Sequence, residues 1–383
     1  MLRRLLPALI LALLSATIHA ETAPRWTAQQ ANTWYAGQPW LVGSDYIPAN
    51  AINQLEMWQP DTFDPKQIDV ELGWAQAIGM NTMRVFLHDL LWQQDPEGFR
   101  NRIRTFLEIC DRHHIRPIFV FFDSCWDPNP HLGPQHPPTP GIHNSGWVQS
   151  PGTSALEDPA QYPRLEAYVR DIVSTFANDN RILAWDIWNE PDNEGGGNYD
   201  KQEPPNKQQL VLALLPKAFA WARDSHPSQP LTSGLWQGNW ASYDMLSPMA
   251  RAQIDESDVI SFHNYGAPAD FKKHVAWLKP YHRPLICTEY MARGQGSTFA
   301  AILPIAKKDK VAAINWGFVA GKTQTYFPWD SWEHPYTTTQ PPVWHHDIFH
   351  ADGSPYRPDE VALIKKLTGR GTTQAFSTTT AVP

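Results

Sequence analysis

The chain predicts an α/β fold: a single-domain (β/α)8 TIM barrel with long loops at the carboxyl-terminal face. Eight short apolar segments alternate with amphipathic helical stretches, which is the pattern of parallel βαβ units. The predicted domain, residues 21–368, has a normal length for a barrel with decorated loops. The main rival, a doubly wound open sheet, would need a topological switch point, and no Gly-rich phosphate loop marks one.

The strand segments fall at 40–47, 80–87, 115–122, 182–189, 231–236, 258–263, 284–289 and 311–318. Each is a short apolar run, as expected of strands buried on both faces. Between them the apolar spacing changes to that of helices with one buried stripe. Asp64 and Pro65 open a helix whose stripe is Ile68, Leu72, Ala75 and Ile78. A second places Ile103, Phe106, Leu107 and Cys110 on one face. A third uses Tyr168, Val169, Ile172, Val173 and Phe176, and a fourth runs from Leu210 to Trp221. A last helix, near 358–368, follows the eighth strand.

Three loops are long: 123–159, 190–207 and 319–357. Each follows the carboxyl end of a strand, where a barrel builds its cleft. Residues 1–20 read as an export signal: Arg3 and Arg4, an apolar run from Leu5 to Leu14, and small Ala20 at the cleavage point. That run is too short to span a bilayer. The expected product is an exported protein, periplasmic or secreted, ending in a Thr-rich disordered tail over 369–383. A net charge of −8 without a basic cluster argues against nucleic acid or an anionic membrane as partner. We expect a monomer. Cys110, Cys125 and Cys287 lie in apolar contexts and read as buried free thiols, one disulfide remaining open. The 18 Trp residues are unusual. Trp126, Trp147, Trp236, Trp240, Trp329 and Trp332 fall in loops, and flat aromatic faces exposed there suit the apolar faces of sugar rings.

The most informative stretch is Trp185-Asp186-Ile187-Trp188-Asn189-Glu190-Pro191. An apolar strand runs into a Glu, and Pro191 stops the ladder because it has no N–H to donate. Glu190 is thereby held at the carboxyl end of a core strand. Glu289 closes a second such run, Pro284-Leu285-Ile286-Cys287-Thr288-Glu289. Two acids at the ends of different barrel strands can face each other across the mouth. Glycoside hydrolysis needs that arrangement, with one carboxyl protonating the leaving oxygen and the other attacking or activating water. Asp186, deeper in the same strand, reads as a structural hydrogen-bonding group.

On these residues the chain resembles clan A glycoside hydrolases, most closely family 5-like, cellulase-type members, over roughly residues 35–368. Asn189-Glu190-Pro191 matches the strand-four motif whose Glu is the acid/base, and Thr288-Glu289-Tyr290 the strand-seven motif whose Glu is the nucleophile. Arg84 on strand two, His263-Asn264-Tyr265 on strand six and Trp316 after strand eight complete the pattern. The resemblance implies a retaining β-glycosidase that needs no cofactor or metal and takes a carbohydrate substrate. Its catalytic residues would be Glu190 and Glu289. Its substrate-binding set would be Arg84, Asn189, His263, Tyr265 and Trp316. Arg84 would hold Glu289 ionised, Tyr265 would donate to the same carboxylate, and Asn189 would bind the sugar 2-hydroxyl. His263 would help cycle the proton of Glu190, and Trp316 would floor the sugar at the cleavage point. A family His expected after strand three is missing from Phe122-Asp123-Ser124-Cys125-Trp126, and Asp123 or Trp126 is expected to take over sugar contacts.

The substrate class implied is a plant-type β-glucan, mannan or xylan, cut in the middle or from an end. A transglycosylase using the same residues, and a non-catalytic carbohydrate-binding protein on this scaffold, are the competing readings. His345, His346 and His350 with Asp347 have partial metal-ligand spacing, but no base Glu accompanies them. They read instead as a loop cluster with Trp344 at the cleft rim.

Overall fold

The computed structural model describes residues 23–195 and 198–370. Eight parallel strands form the barrel: β1 Val42–Asp45, β2 Thr82–Phe86, β3 Arg116–Asp123, β4 Ala184–Asn189, β5 Leu231–Thr232, β6 Ile260–His263, β7 Leu285–Glu289 and β8 Ala312–Asn315. They pair in the order β5-β4-β3-β2-β1-β8-β7-β6, and a parallel bridge between Leu235 and Phe262 closes the ring. All eight predicted strands are present; β3 is shifted by one residue at the same length, and the others are shorter than their apolar segments. The shortest strand is β5, after which Ser233 turns its hydroxyl onto the Trp188 carbonyl at 2.7 Å.

The predicted helices also form, and their ends follow from local chemistry. Helix Pro65–Ala77 begins with Asp64 accepting from the backbone N–H groups of Lys66 and Gln67, with Pro65 where its missing N–H costs nothing. Helix Pro96–Arg112 buries Phe99, Ile103, Phe106, Leu107 and Cys110. Each such side chain contributes about 1.5–3 kcal/mol on leaving water. Helices Tyr162–Phe176, Lys207–Arg223 and Pro358–Thr368 likewise face the barrel with their apolar stripes.

One of the elements not named from the sequence closes the bottom of the barrel. Helix Ala28–Ala36 carries a capping box made by Thr27 and Gln30. Ala31 joins an inner cluster of Leu41, Ile118, Ala184, Ile286 and Ile314, with Trp26, Trp34 and Tyr35 packed against it. This plugs the amino-terminal end of the barrel and leaves the carboxyl end for chemistry. Of the helix's nine residues only Ala31 is buried, so no apolar stripe marks it in the sequence.

The three cysteines are free and buried, so the disulfide left open by the sequence is absent. No helix among the described residues is long and apolar enough to cross a membrane. The predicted signal segment and all but the first two residues of the Thr-rich tail lie outside the described residues.

Candidate active site

The floor of the site is built on strand ends around Arg84, which is fully buried on β2. Its guanidinium donates to Asp45 on β1, Asp186 on β4 and Glu289 on β7, each at 2.9 Å. It also donates to the Asn189 amide oxygen at 2.7 Å. One planar fork thus ties four strands together, a task Lys cannot perform with a single point charge. Asn189 is held from the other side, its Nδ2 donating to Asp123 at 2.9 Å.

Positions 186 and 189 both reach Arg84, so the even alternation of β4 breaks between them. Glu190 then takes a left-handed backbone (φ 43°), a conformation that costs a non-glycine residue about 1–3 kcal/mol. The turn carries its carboxylate over the barrel beside that of Glu289. Strict alternation from Asp186 would not have predicted how Asn189 and Glu190, adjacent in sequence, come to serve one site.

The two glutamates have different escorts. Glu289 accepts from Arg84 and, at 2.7 Å, from the Tyr265 hydroxyl. Glu190 accepts from the Asn193 amide at 2.8 Å and the Cys125 thiol at 3.3 Å. The His263 Nδ1 atom faces both, 2.9 Å from Glu190 and 3.4 Å from Glu289. A register shift between Phe262 and His263 sets His263 against Glu289 on the neighbouring strand, a common use of a bulge beside a site.

Burial pushes the Glu190 carboxyl up, with Asn193 and Cys125 opposing it. Burial also raises Glu289 and Glu190 adds to the rise, while Arg84, Tyr265 and, when protonated, His263 pull it back. Arg84 therefore opposes the burial of Glu289 without overcoming it, a weaker effect than the sequence led us to expect. The two carboxyls still differ in their partners, since Glu289 alone of the two has a direct cation contact. His263, held near pKa 4 by burial, is neutral at neutral pH.

Glu190, His263 and Glu289 bring one donor atom each within 4.8 Å of one another, close enough to raise the question of a cation. The donor set does not suit one, because a metal would sit against the Arg84 guanidinium and displace the Tyr265 hydroxyl from Glu289.

Above the floor lies a cavity of ≈ 340 Å³. It is lined by both glutamates together with Asn189, Tyr265, Trp316 and Trp126, all expected from the sequence. Five of the six loop tryptophans line it; the sixth, Trp240, is core. Trp316 is braced edge-on by Phe86 and Trp147. Arg84, His263 and Asp123, expected to bind substrate, do not line the cavity. Asp123 is a clear departure, its oxygens accepting from Asn189, Trp147 and the Cys125 backbone. Burial pushes its pKa to about 6. It positions Asn189 and Trp147 and is itself buried away from the cavity.

Sequence reasoning missed Asp45, Cys125, Asn193, His143 and Asn144. No motif marks them, because they arrive from loops or, for Asp45, from a strand read only for its apolarity. The His345–His346 pair is buried beside Trp329 at the rim. His350 lies exposed against Trp344, so the three histidines do not converge on an ion.

The family model described as cellulase (glycosyl hydrolase family 5) matches residues 129–334, more than half of the chain. The chain belongs to glycosyl hydrolase family 5. As a family 5 member it also resembles solved structures at low identity. Exo-β-1,4-mannosidase Op5Man5 from Opitutaceae bacterium strain TAV5 aligns at TM-score 0.55 and 18% identity over 87% of this chain. This family 5 chain spans 59% of that protein's length. The endo-1,4-β-mannanase from Rhizomucor miehei gives 0.56 and 14%, covering 88% of this chain and 96% of its own. GH5_18 from Streptomyces cattleya in complex with GlcNAc gives 0.56 and 14%, covering 87% and 80%. At these identities the likeness is one of fold. No curated protein matches the chain.

Proposed function

We propose that this family 5 barrel is a retaining β-glycosidase. Glu289 attacks the anomeric carbon as the Glu190 proton passes to the leaving oxygen, which departs as an alcohol. Water then gives a proton to Glu190 and attacks the glycosyl ester, restoring both carboxyls. The observation that carries this reading is the approach of the two carboxylates, one oxygen of each within 4.8 Å of the other. Retaining pairs sit about 5–5.5 Å apart and inverting pairs about 6.5–9.5 Å, to admit water.

The escorts support the same division of labour. The carboxylate with a cation and a phenol is suited to attack, and the buried one with only neutral donors to deliver a proton. Asn189, oriented by Arg84 and Asp123, is offered to the sugar 2-hydroxyl, where a contact strengthens in the transition state. The aromatic walls favour a β-linked carbohydrate such as a glucan, mannan or xylan. Mannosides are the first to try, because that is the substrate named for several proteins of this fold. We take the whole chain over 21–368 as the catalytic unit, exported and working as a monomer.

Glu190→Ala and Glu289→Ala should each lower turnover on a β-linked oligosaccharide by at least about a thousandfold. A 2-fluoro-glycoside should leave its sugar on Glu289. Label on Glu190, or near wild-type activity in either variant, would overturn the assignment. Products run with added acceptor sugar separate hydrolysis from transglycosylation.

A further inference from the structure

The barrel rim is bridged along one side. In the ring order β8-β1-β2-β3, the loops after β8 and β3 meet over the ends of β1 and β2. Gln324 donates through Nε2 to the carbonyls of Thr139 and Ile142 at 2.7 and 2.9 Å. The Asn144 backbone N–H donates to the Thr323 carbonyl at 2.9 Å, and His143 Nδ1 contacts the Phe327 carbonyl at the same distance. Across the barrel the rim is low at β6, with only residues 264–267 before helix Pro268–Leu278.

The acid and the nucleophile end β4 and β7, so a sugar chain threaded between them runs from the bridged side to the β5–β6 side. Asn189 leans toward Arg84 and Asp123, and Trp316 packs on Trp147 of the bridging loop. The glycone therefore lies under the bridge, and the leaving portion lies toward Trp236, which follows β5. A chain could leave by the low rim but could not continue through the bridge.

Asn144 sits in the wall of this closed end. It is 1% exposed, yet neither its Oδ1 nor its Nδ2 meets a hydrogen-bond partner among the described residues. Such an amide is costly to leave unpaired. Its backbone is pinned by Thr323, and it borders the same cavity as both glutamates. A carbonyl and an NH2 fixed side by side match the adjacent hydroxyls of a hexose.

We infer that the enzyme is exo-acting: a non-reducing terminal sugar fills the closed end, and the Asn144 amide recognises its hydroxyls. This stands on the retaining-glycosidase reading above and takes it to a mode of attack. It also gives the long loop after β3 a task that the missing histidine there left vacant.

The test uses the full chain and a β-1,4-linked hexasaccharide of the best-cleaved sugar, with either its reducing end or its non-reducing end capped. Monosaccharide alone should appear from the first time point, and capping the non-reducing end should slow cleavage by at least roughly a hundredfold. Mid-length fragments at early times, or cleavage indifferent to that cap, would overturn the inference. Asn144→Ala and the isosteric Asn144→Asp should lower kcat/KM on aryl glycosides by roughly 10–100-fold, with circular dichroism and melting confirming the fold. Terminal-sugar deoxy analogues should include one that penalises the wild type but not Asn144→Ala. If every analogue penalises both equally, Asn144 does not touch the sugar and its role falls. Glu289 labelling with internal cleavage would keep the chemistry and sink only the exo mode. No label and no turnover would sink both.

Discussion

The floor of the site and its walls are built by opposite means. The floor stands on strand ends and is charged: Arg84, Asp45, Asp186, Asn189 and Glu289 are tied by bonds of 2.7–2.9 Å. The walls stand on loops and are aromatic, joined to one another mostly through backbone groups. Charges need fixed partners because burial makes an unpaired one expensive, and the barrel's strands are its most rigid parts. Apolar faces need only area and shape, which loops can supply and vary. On the function proposed above, the floor would set the reaction and the walls what reaches it.

Arg84→Met attacks the floor and carries the largest expected effect. Three carboxylates would lose their cation, so unfolding free energy should fall by about 3–5 kcal/mol, and kcat should drop with it. Urea titration and kinetics check both. A fall in KM affinity alone, with kcat and stability intact, would make Arg84 a mere binding residue.

Asp347 tests the walls. It is buried in the loop after β8, where it accepts from the Thr325 hydroxyl, and burial pushes its pKa up to about 7. Because the folded value lies above the unfolded one, the folded state binds the proton more tightly. Its contribution to stability is full below about pH 4 and is lost as pH rises toward 7, roughly 2–4 kcal/mol in all. Asp347→Asn should abolish that slope and melt higher than wild type at pH 8, the two converging in acid. Its left-handed backbone (φ 55°) tolerates Asn well. Parallel stability curves for the two proteins would rule the coupling out.

Trp329→Ala should be mildest. The ring is 37% exposed and stands edge-on to Tyr265 at 5.1 Å, so one stacking face should be lost while Glu289 keeps its phenol. KM should rise by roughly three- to tenfold with kcat little changed. A large fall in kcat would show that wall and floor are coupled.

The barrel was legible because each strand is a short apolar run and each helix a stripe, and both are local patterns. Glu190 and Glu289 were legible for the same reason, as acids that interrupt such runs at their ends. Asn193, Cys125 and Asn144 were not, since a polar residue in a loop looks alike whether it faces solvent or a cavity. Asp123 misled because its neighbours in sequence are not its partners. Trp147 lies 24 residues away and Asn189 lies 66.

By itself, then, the chain's pattern determined the eight-stranded barrel, the family resemblance and the identity of two strand-end acids. Their separation, the left-handed turn at Glu190, the four-strand grip of Arg84 and the bridge over β1 and β2 were decided only in three dimensions. Local periodicity reports which residues leave water, whereas distances between strand ends and between loops arise only once the barrel closes.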